Sequence, residues 1–282
     1  LSHLVGGLSF GIGMTLASGC GSKTLIRIGG GNLKSLVVFA FLGISAYMTL
    51  RGLFAVWRVR FLDTVATDLP HSQDLPAFLT ASGFPPSTAL MLGAAVIGGG
   101  LLLWVLLKRD AWRADVLLGG ALIGATVAAA WYVSGHVGYV AEHPETLEEA
   151  FIATNSGRAE SLTFVAPFAY TLELLMLWSD TSRIVTFGIA SALGVIAGAA
   201  VHAVLSRSFR IEGFRDSGDL VRHMAGGILM GFGGVTALGC SIGQGITGLS
   251  TLALGSIITT AAIIVGAALT LKLQFWLMMR EA

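Results

Sequence analysis

The sequence predicts an all-α protein that crosses a bilayer several times and is built as an inverted repeat. Its short, broken or re-entrant helices are expected to meet near the midplane. Three observations carry this. First, 54% of the 282 residues are hydrophobic and 12% charged, with a mean hydropathy of +0.80; a soluble domain is typically about 25% charged. Second, apolar runs close to the ~20 residues that a bilayer core requires recur along the chain. Third, one short glycine-rich pattern occurs twice. Gly6, Gly7, Gly11, Gly13, Ala17, Gly19 and Cys20 match Gly226, Gly227, Gly231, Gly233, Ala237, Gly239 and Cys240 without a gap. Each copy ends in one of the two cysteines. Paired short or Gly-interrupted apolar segments in two halves point to a transporter's substrate site.

Taken in order, the chain opens with a short apolar segment, 4–17, then a polar and glycine-rich stretch, then a long apolar segment, 33–50. The same succession returns at 224–238, 241–250 and 252–271. A short helix, a break and a long helix describe a re-entrant element, whose irregular backbone is tolerated only where protein or a water-filled cavity satisfies it. The repeat-like elements are therefore 4–50 and 224–271, within one transmembrane transport domain of residues 1–282. Four further apolar segments, 87–107, 116–139, 162–178 and 184–205, read as spans. Residues 51–86 form the longest non-membrane stretch, broken at Leu69-Pro70 and Phe84-Pro85-Pro86.

Basic residues are spread over several loops: Arg51, Arg58 and Arg60; Lys108, Arg109 and Arg113; Arg207, Arg210, Arg215 and Arg222. If every apolar segment crossed, positive loops would fall on both sides, against the positive-inside tendency. Either one segment does not span or 51–60 lies at the interface as an amphipathic helix. The pairs Gly7/Gly11, Gly120/Gly124, Gly194/Gly198 and Gly227/Gly231 have the G-x-x-x-G spacing of close helix packing.

The residues following the two cysteines differ in chemistry. Lys23 and Arg27 follow Cys20 at helical spacing, so a thiol, a helix N-terminus and a cation would converge on a small anion; snorkelling of both side chains to the interface is the plain alternative. Gln244 and Thr247 follow Cys240 as neutral hydrogen-bonding groups. Gly19 and Gly239, directly before the thiols, permit close backbone approach. A phosphate-loop reading of 19–24 fails because Ser22 stands where that motif needs glycine. Neither cysteine has a C-x-x-C partner or a nearby histidine, so no metal site and no cofactor is expected. Glu173, a lone acid in an apolar run, is a candidate for ion coupling or for a buried salt bridge. The cluster Glu142, His143, Glu145, Glu148 and Glu149 reads as a solvated acidic helix.

The string Ser18-Gly19-Cys20-Gly21-Ser22, with Arg27 and Gly31-Asn32-Leu33, together with Gly239-Cys240-Ser241-Ile242-Gly243-Gln244-Gly245, resembles the YeeE/YedE family of sulfur-related membrane transporters. Arg158-Ala159-Glu160-Ser161-Leu162 and Arg215-Asp216-Ser217-Gly218-Asp219-Leu220 add to the likeness. The resemblance implies uptake of a small sulfur anion, thiosulfate first, across a bacterial inner membrane, with Cys20 and Cys240 on the path. It also implies a small soluble sulfur carrier of the SirA/TusA type as a partner. Thiosulfate-transporting members carry a third cysteine near the start; its absence here implies that the parent protein has a further N-terminal segment. Two other readings stand beside transport: a membrane sulfurtransferase forming a cysteine persulfide, and a partner subunit without a path of its own.

Overall fold

The computed structural model describes residues 1–65, 71–143, 147–180 and 183–281. In chain order the helices are α1 (Ser2–Leu16), α2 (Gly21–Gly29), α3 (Leu33–Arg51), α4 (Leu53–Trp57), α5 (Leu75–Ala81), α6 (Pro86–Gly93), α7 (Gly99–Leu106), α8 (Ala114–Tyr132), α9 (Ala166–Met176), α10 (Phe187–Leu205), α11 (Ser217–Thr236) and α12 (Leu254–Glu281). A π-turn joins α6 to α7, and another, Gly243–Gly248, lies between α11 and α12. The only sheet among the described residues is a two-residue hairpin, β1 (Tyr139–Val140) with β2 (Ala150–Phe151). Six helical stretches are long and apolar enough to cross a membrane, so this is an all-α, multi-pass membrane protein.

The two repeats interlock. Helices α1 and α11 run antiparallel and touch backbone to backbone. A Cβ added to Gly6 would lie 2.5 Å from the Ala237 nitrogen and 2.7 Å from the Gly233 oxygen; one added to Gly226 would lie 2.7 Å from both the Ala17 nitrogen and the Gly13 oxygen. Those two sets of partners exchange under a step of 220 residues, as a pseudo-two-fold axis requires. Helix α12 runs parallel to α1, with Ala262 against Gly7 and Leu8 against Gly266. Helix α3 runs parallel to α11, with Val38 and Phe41 against Gly227. The bundle thus has two ends. The Arg51 end gathers the start of α1 and α12 and the finish of α3 and α11. The Lys34 end gathers the reverse, and there the Leu33 N–H donates to the Glu212 carbonyl at 2.9 Å.

Around this core, α9 packs on α3, with Leu172 and Phe168 at Gly43, and α10 packs on α2, with Ile196 and Ala199 at Gly29. The segment 162–178, expected to span, does not. It is irregular through Val165, with bends at Leu162, Phe164 and Val165, and then forms only the 11 residues of α9, about 16 Å of helix at 1.5 Å per residue; Pro167 in its first turn fixes where the helix begins. The segment 224–238, expected to be short, is the end of the 20-residue α11. Polar residues disguise its first two turns, which begin at Asp216, whose carboxylate accepts from the Asp219 N–H at 2.7 Å. Residues 53–61 form a short helix and π-turn with Leu53, Val56, Trp57 and Phe61 exposed, as an interfacial element would be. Leu69-Pro70 and Glu145 lie outside the described residues. Around Glu145, the described residues 142–143 and 147–149 carry no helix.

Two of the four G-x-x-x-G pairs are packing sites. Gly7/Gly11 and Gly227/Gly231 lie against α12 and α3, whereas no atom comes within 4 Å of a Cβ placed on Gly120, Gly124, Gly194 or Gly198. Substitution should follow this division. Gly233→Leu, whose new side chain would meet the Phe10 nitrogen and Gly6 oxygen, should lower stability in detergent by about 3 kcal/mol or abolish folding. Gly120→Leu should leave the unfolding midpoint unchanged. Fluorescence-detected size exclusion after a heating series would measure both.

Candidate functional site

Both core helices stop the same way. Ser18 and Leu238, equivalent under the 220-residue step, take φ of 60° and 61°. The Gly19 N–H returns to the Met14 carbonyl at 2.9 Å, and the Gly239 N–H to the Gly234 carbonyl at 2.7 Å. This is a Schellman ending with a side-chain residue at the left-handed position, where glycine is usual. Each break costs backbone strain on the order of 1 kcal/mol. The chain is thereby thrown back from the helix end, and the next residue after the glycine is the cysteine.

Each cysteine then starts a short helix. Cys20 is the N-cap of α2, its carbonyl accepting from the Thr24 N–H at 2.9 Å; Cys240 accepts from the Gln244 N–H at 2.7 Å. Both sulfurs fold toward the free N–H groups of the turn they begin. The Gly243 N–H lies 3.3 Å from Cys240 Sγ, and Cys20 Sγ is 3.2 Å from the Ser22 hydroxyl. Cys240 is fully buried and Cys20 half-buried, in one apolar cluster with Phe164. Both are free thiols. The buried Ser241 hydroxyl faces Cys20 across the two breaks.

The irregular segment 161–165 passes between the two breaks. A Cβ on Gly21 would lie 3.3 Å from the Phe164 carbonyl, one on Gly243 would meet Thr163 Oγ1 at 2.6 Å, and one on Gly234 would meet the Val165 side chain. Ser161 anchors the segment by donating to the Val127 carbonyl of α8 at 3.0 Å. Sequence reasoning counted these residues inside a span and missed them. The signals present were Pro167, which bars a helix from running through, and the matched string ending at Ser161-Leu162.

Of the four polar groups singled out beside the cysteines, three donate to backbone carbonyls. Gln244 is buried, donating to the Ala237 carbonyl at 2.8 Å and accepting from Ser256 at 2.6 Å. Thr247 donates to the Leu162 carbonyl at 2.8 Å. Arg27 donates to the Ser18 carbonyl at 3.0 Å. Lys23 is exposed, and its methylenes cover Gly19. Gly239 packs on the Gln244 side chain. Gln244, Thr247 and Arg27 therefore hold the broken backbone in place. Glu173 is buried between Arg183, at 3.0 Å, and Arg51, at 3.4 Å, which is the salt-bridge arrangement.

Two cavities approach the breaks from opposite ends. One of about 500 Å³ at the Arg51 end is lined by Leu50, Arg58, Glu160, Thr163, Tyr170, Leu238, Gly239, Gly243 and Gln244. The other, also about 500 Å³, lies at the Lys34 end between Thr15, Leu16, Ser18, Arg222, His223, Thr270, Gln274 and Met278. They are related by the pseudo-axis: Leu50 and Thr270, Arg58 and Met278, and Leu238 and Ser18 are equivalent pairs. Neither cavity is lined by a cysteine. The thiols sit between them.

A multi-pass membrane protein with dyad-related broken helices and a cavity at each break is the class that fold and site define. The chain belongs to the Sulphur transport family, whose profile matches residues 1–269. It is 28% identical over 273 residues to the thiosulfate transporter TsuA of Spirochaeta thermophila, covering 94% of this chain and 75% of that protein. It is likewise 28% identical over 269 residues to TsuA of Escherichia coli, covering 87% of this chain and 66% of the relative.

The engagement of Gln244 predicts a stability effect. Gln244→Leu strands the Ala237 carbonyl and the Ser256 hydroxyl, and should lower unfolding stability by about 1–3 kcal/mol. Lys23→Ala, at an exposed side chain without a hydrogen bond among the described residues, should stay within about 0.5 kcal/mol of wild type. Denaturant midpoints in detergent would compare the two.

Proposed function

We propose that this chain is the transport unit of a bacterial inner-membrane protein taking up a small sulfur oxyanion, thiosulfate first, along a path that passes Cys20 and Cys240. The observation that carries the reading is the pair of dyad-related breaks. Each places a free thiol at the start of a short helix, between two cavities that open to opposite ends. Family membership and the two thiosulfate-transporting relatives agree with it. A thiol is a weak donor and weak acceptor, so it contacts a sulfur anion without trapping it, and conduction needs binding loose enough for release. Gln244, Thr247 and Arg27 act by fixing the breaks, and Gly19 and Gly239 by letting backbone close over them. Neither sulfur needs to react covalently.

On this reading Phe164 blocks the path: it is buried, its carbonyl lies against Gly21 and its backbone N–H against Cys240. Passage therefore requires the segment 161–165 or one short helix to shift. The hydrogen bonds of Ser161 and Thr247 resist that shift.

The fold also supports an orientation. Helices α6 and α8 touch the Arg51 end through Gly93 at Leu252 and Trp131 at Ser250. Their connecting loop, with Lys108, Arg109 and Arg113, lies about 20 Å along each helix away from that end. It thus joins Lys34, Arg207, Arg210, Arg215, Arg222 and Arg280 at the Lys34 end, whereas Arg51, Arg58, Arg60, Arg158 and Arg183 lie at the other. The positive-inside tendency puts the Lys34 end in the cytoplasm, where a SirA/TusA-type carrier would receive sulfur.

Thiosulfate uptake into proteoliposomes by the full-length parent should fall at least tenfold with Cys240→Ala while thermal stability is retained. Retained uptake would return Cys240 to a packing role. For orientation, in a variant lacking native cysteines, the thiol from Ser72→Cys should label from the periplasm with an impermeant reagent. That from Ser208→Cys should label only after the inner membrane is opened; the reverse pattern would invert the assignment.

A further inference from the structure

We propose that the cavity at the Lys34 end is a binding site for a small tetrahedral oxyanion, held by Arg222, Gln274 and Ser18. All three side chains line the cavity, and none makes a side-chain hydrogen bond or ion pair among the described residues. The carboxylate that shares the cavity, Asp219, is occupied. Lys34 Nζ lies 2.8 Å from one of its oxygens and His223 Nδ1 3.1 Å from the other, and His223 Nδ1 also donates to the Asp219 carbonyl at 2.7 Å. The hydroxyls of Thr15 and Thr270 donate to helix carbonyls at 3.0 and 2.8 Å. What is left uncommitted is a guanidinium fork, an amide and a hydroxyl. A guanidinium recognises a tetrahedral oxyanion through two parallel N–H groups, and Arg222 and Ser18 are exposed, so an anion from solvent reaches them directly.

The repeat supplies an internal control. Under the 220-residue step Ser18, Arg222 and Gln274 correspond to Leu238, Ser2 and Phe54. Packing of the repeats therefore does not demand these donors; the mate of each at the other end lacks its chemistry, Ser2 being a hydroxyl in place of a guanidinium and committed to Asp63 at 2.8 Å. The cavity also ends on the break at Ser18, two residues before Cys20. The occupant is an oxyanion from water, such as the transported species, or the phosphate of an anionic lipid; both present the same chemistry. The site goes beyond the transport reading and does not depend on passage.

The test uses the full-length parent in phosphatidylcholine nanodiscs, with Leu273→Cys as reporter on the cavity wall and Cys20→Ser and Cys240→Ser removing the native thiols. An anionic sulfonatoethyl methanethiosulfonate should react about tenfold faster than its cationic trimethylammonium counterpart. Millimolar sulfate should slow the anionic reagent, and Arg222→Gln should remove both effects. Equal rates, or no protection by sulfate with Arg222 intact, would overturn the site. Slowing by added phosphatidylglycerol, with sulfate then adding nothing, supports the site and identifies the oxyanion as a lipid headgroup. Should the cysteine-free variant fail to fold, Arg222→Gln with native cysteines should raise the KM for thiosulfate about tenfold, with Arg222→Lys restoring part of the loss; an unchanged KM overturns the proposal. Sulfate protection in a protein that takes up no thiosulfate keeps the site and sinks the transport reading. Robust uptake without protection does the opposite.

Discussion

The contact on which the rest depends is the backbone-to-backbone crossing of α1 and α11. Gly6, Gly13, Gly226 and Gly233 leave no room for side chains there, and close approach through small residues is how helices associate when lipid is as apolar as leucine. Because the contact is antiparallel and reciprocal, the two helices run into their breaks in opposite directions. The long helices α3 and α12 then pack on the outer sides of the pair through the second row of glycines. Nothing else in the molecule could bring both cysteine-bearing breaks toward a common centre while keeping their openings apart.

The breaks follow from this crossing. A helix that must end near the height where its partner begins cannot continue, and here each ends with a strained left-handed residue and a following glycine. The turn leaves free N–H groups at the start of the next short helix, which an apolar surrounding would make costly. Cys240 Sγ accepts from one such N–H, that of Gly243, while Gln244, Thr247 and Arg27 donate to the carbonyls of Ala237, Leu162 and Ser18 that the irregular backbone leaves open. The polar residues around the thiols thus serve first to make irregular backbone possible at depth, which leaves the centre neutral.

Much of this was legible in the sequence. The repeat, its offset and its cysteine endings are plain because glycines at a crossing and at a helix end tolerate no substitute, so both copies keep them in register. The role of 161–165 was not legible, since a non-helical apolar run that is buried by protein reads like one buried by lipid. Pro167 and the string ending at Ser161-Leu162 were the clues. Counting that run as a span also miscounts the crossings, because α9 has only 11 residues. The G-x-x-x-G pairs show the same limit from the other side. Gly7/Gly11 and Gly120/Gly124 share a spacing, yet only the first pair meets another helix. Spacing records what a helix face permits, and the fold decides whether it is used. Lys23 and Arg27 were legible as charges but not in direction: one covers Gly19, the other closes the Ser18 carbonyl.

The departures from symmetry bear most on direction of transport. A perfect dyad would present the same chemistry to both sides of the membrane, and an anion would meet equal affinity at each. Here the Arg51 end offers a cavity where Glu160 shares the wall with Arg58 and Tyr170, while the Lys34 end offers an uncommitted guanidinium beside a neutralised Asp219. The two breaks bring together two soft sulfurs, the Ser241 hydroxyl beside Cys20 and N–H groups at helix starts. A stronger cation at the centre would hold a divalent anion too tightly to release it; stronger cations at the ends raise its local concentration without trapping it. The placement of full charges at the mouths and weak donors in the middle is the electrostatic profile a two-ended anion path requires, and the same repeat that builds the centre leaves the ends free to differ.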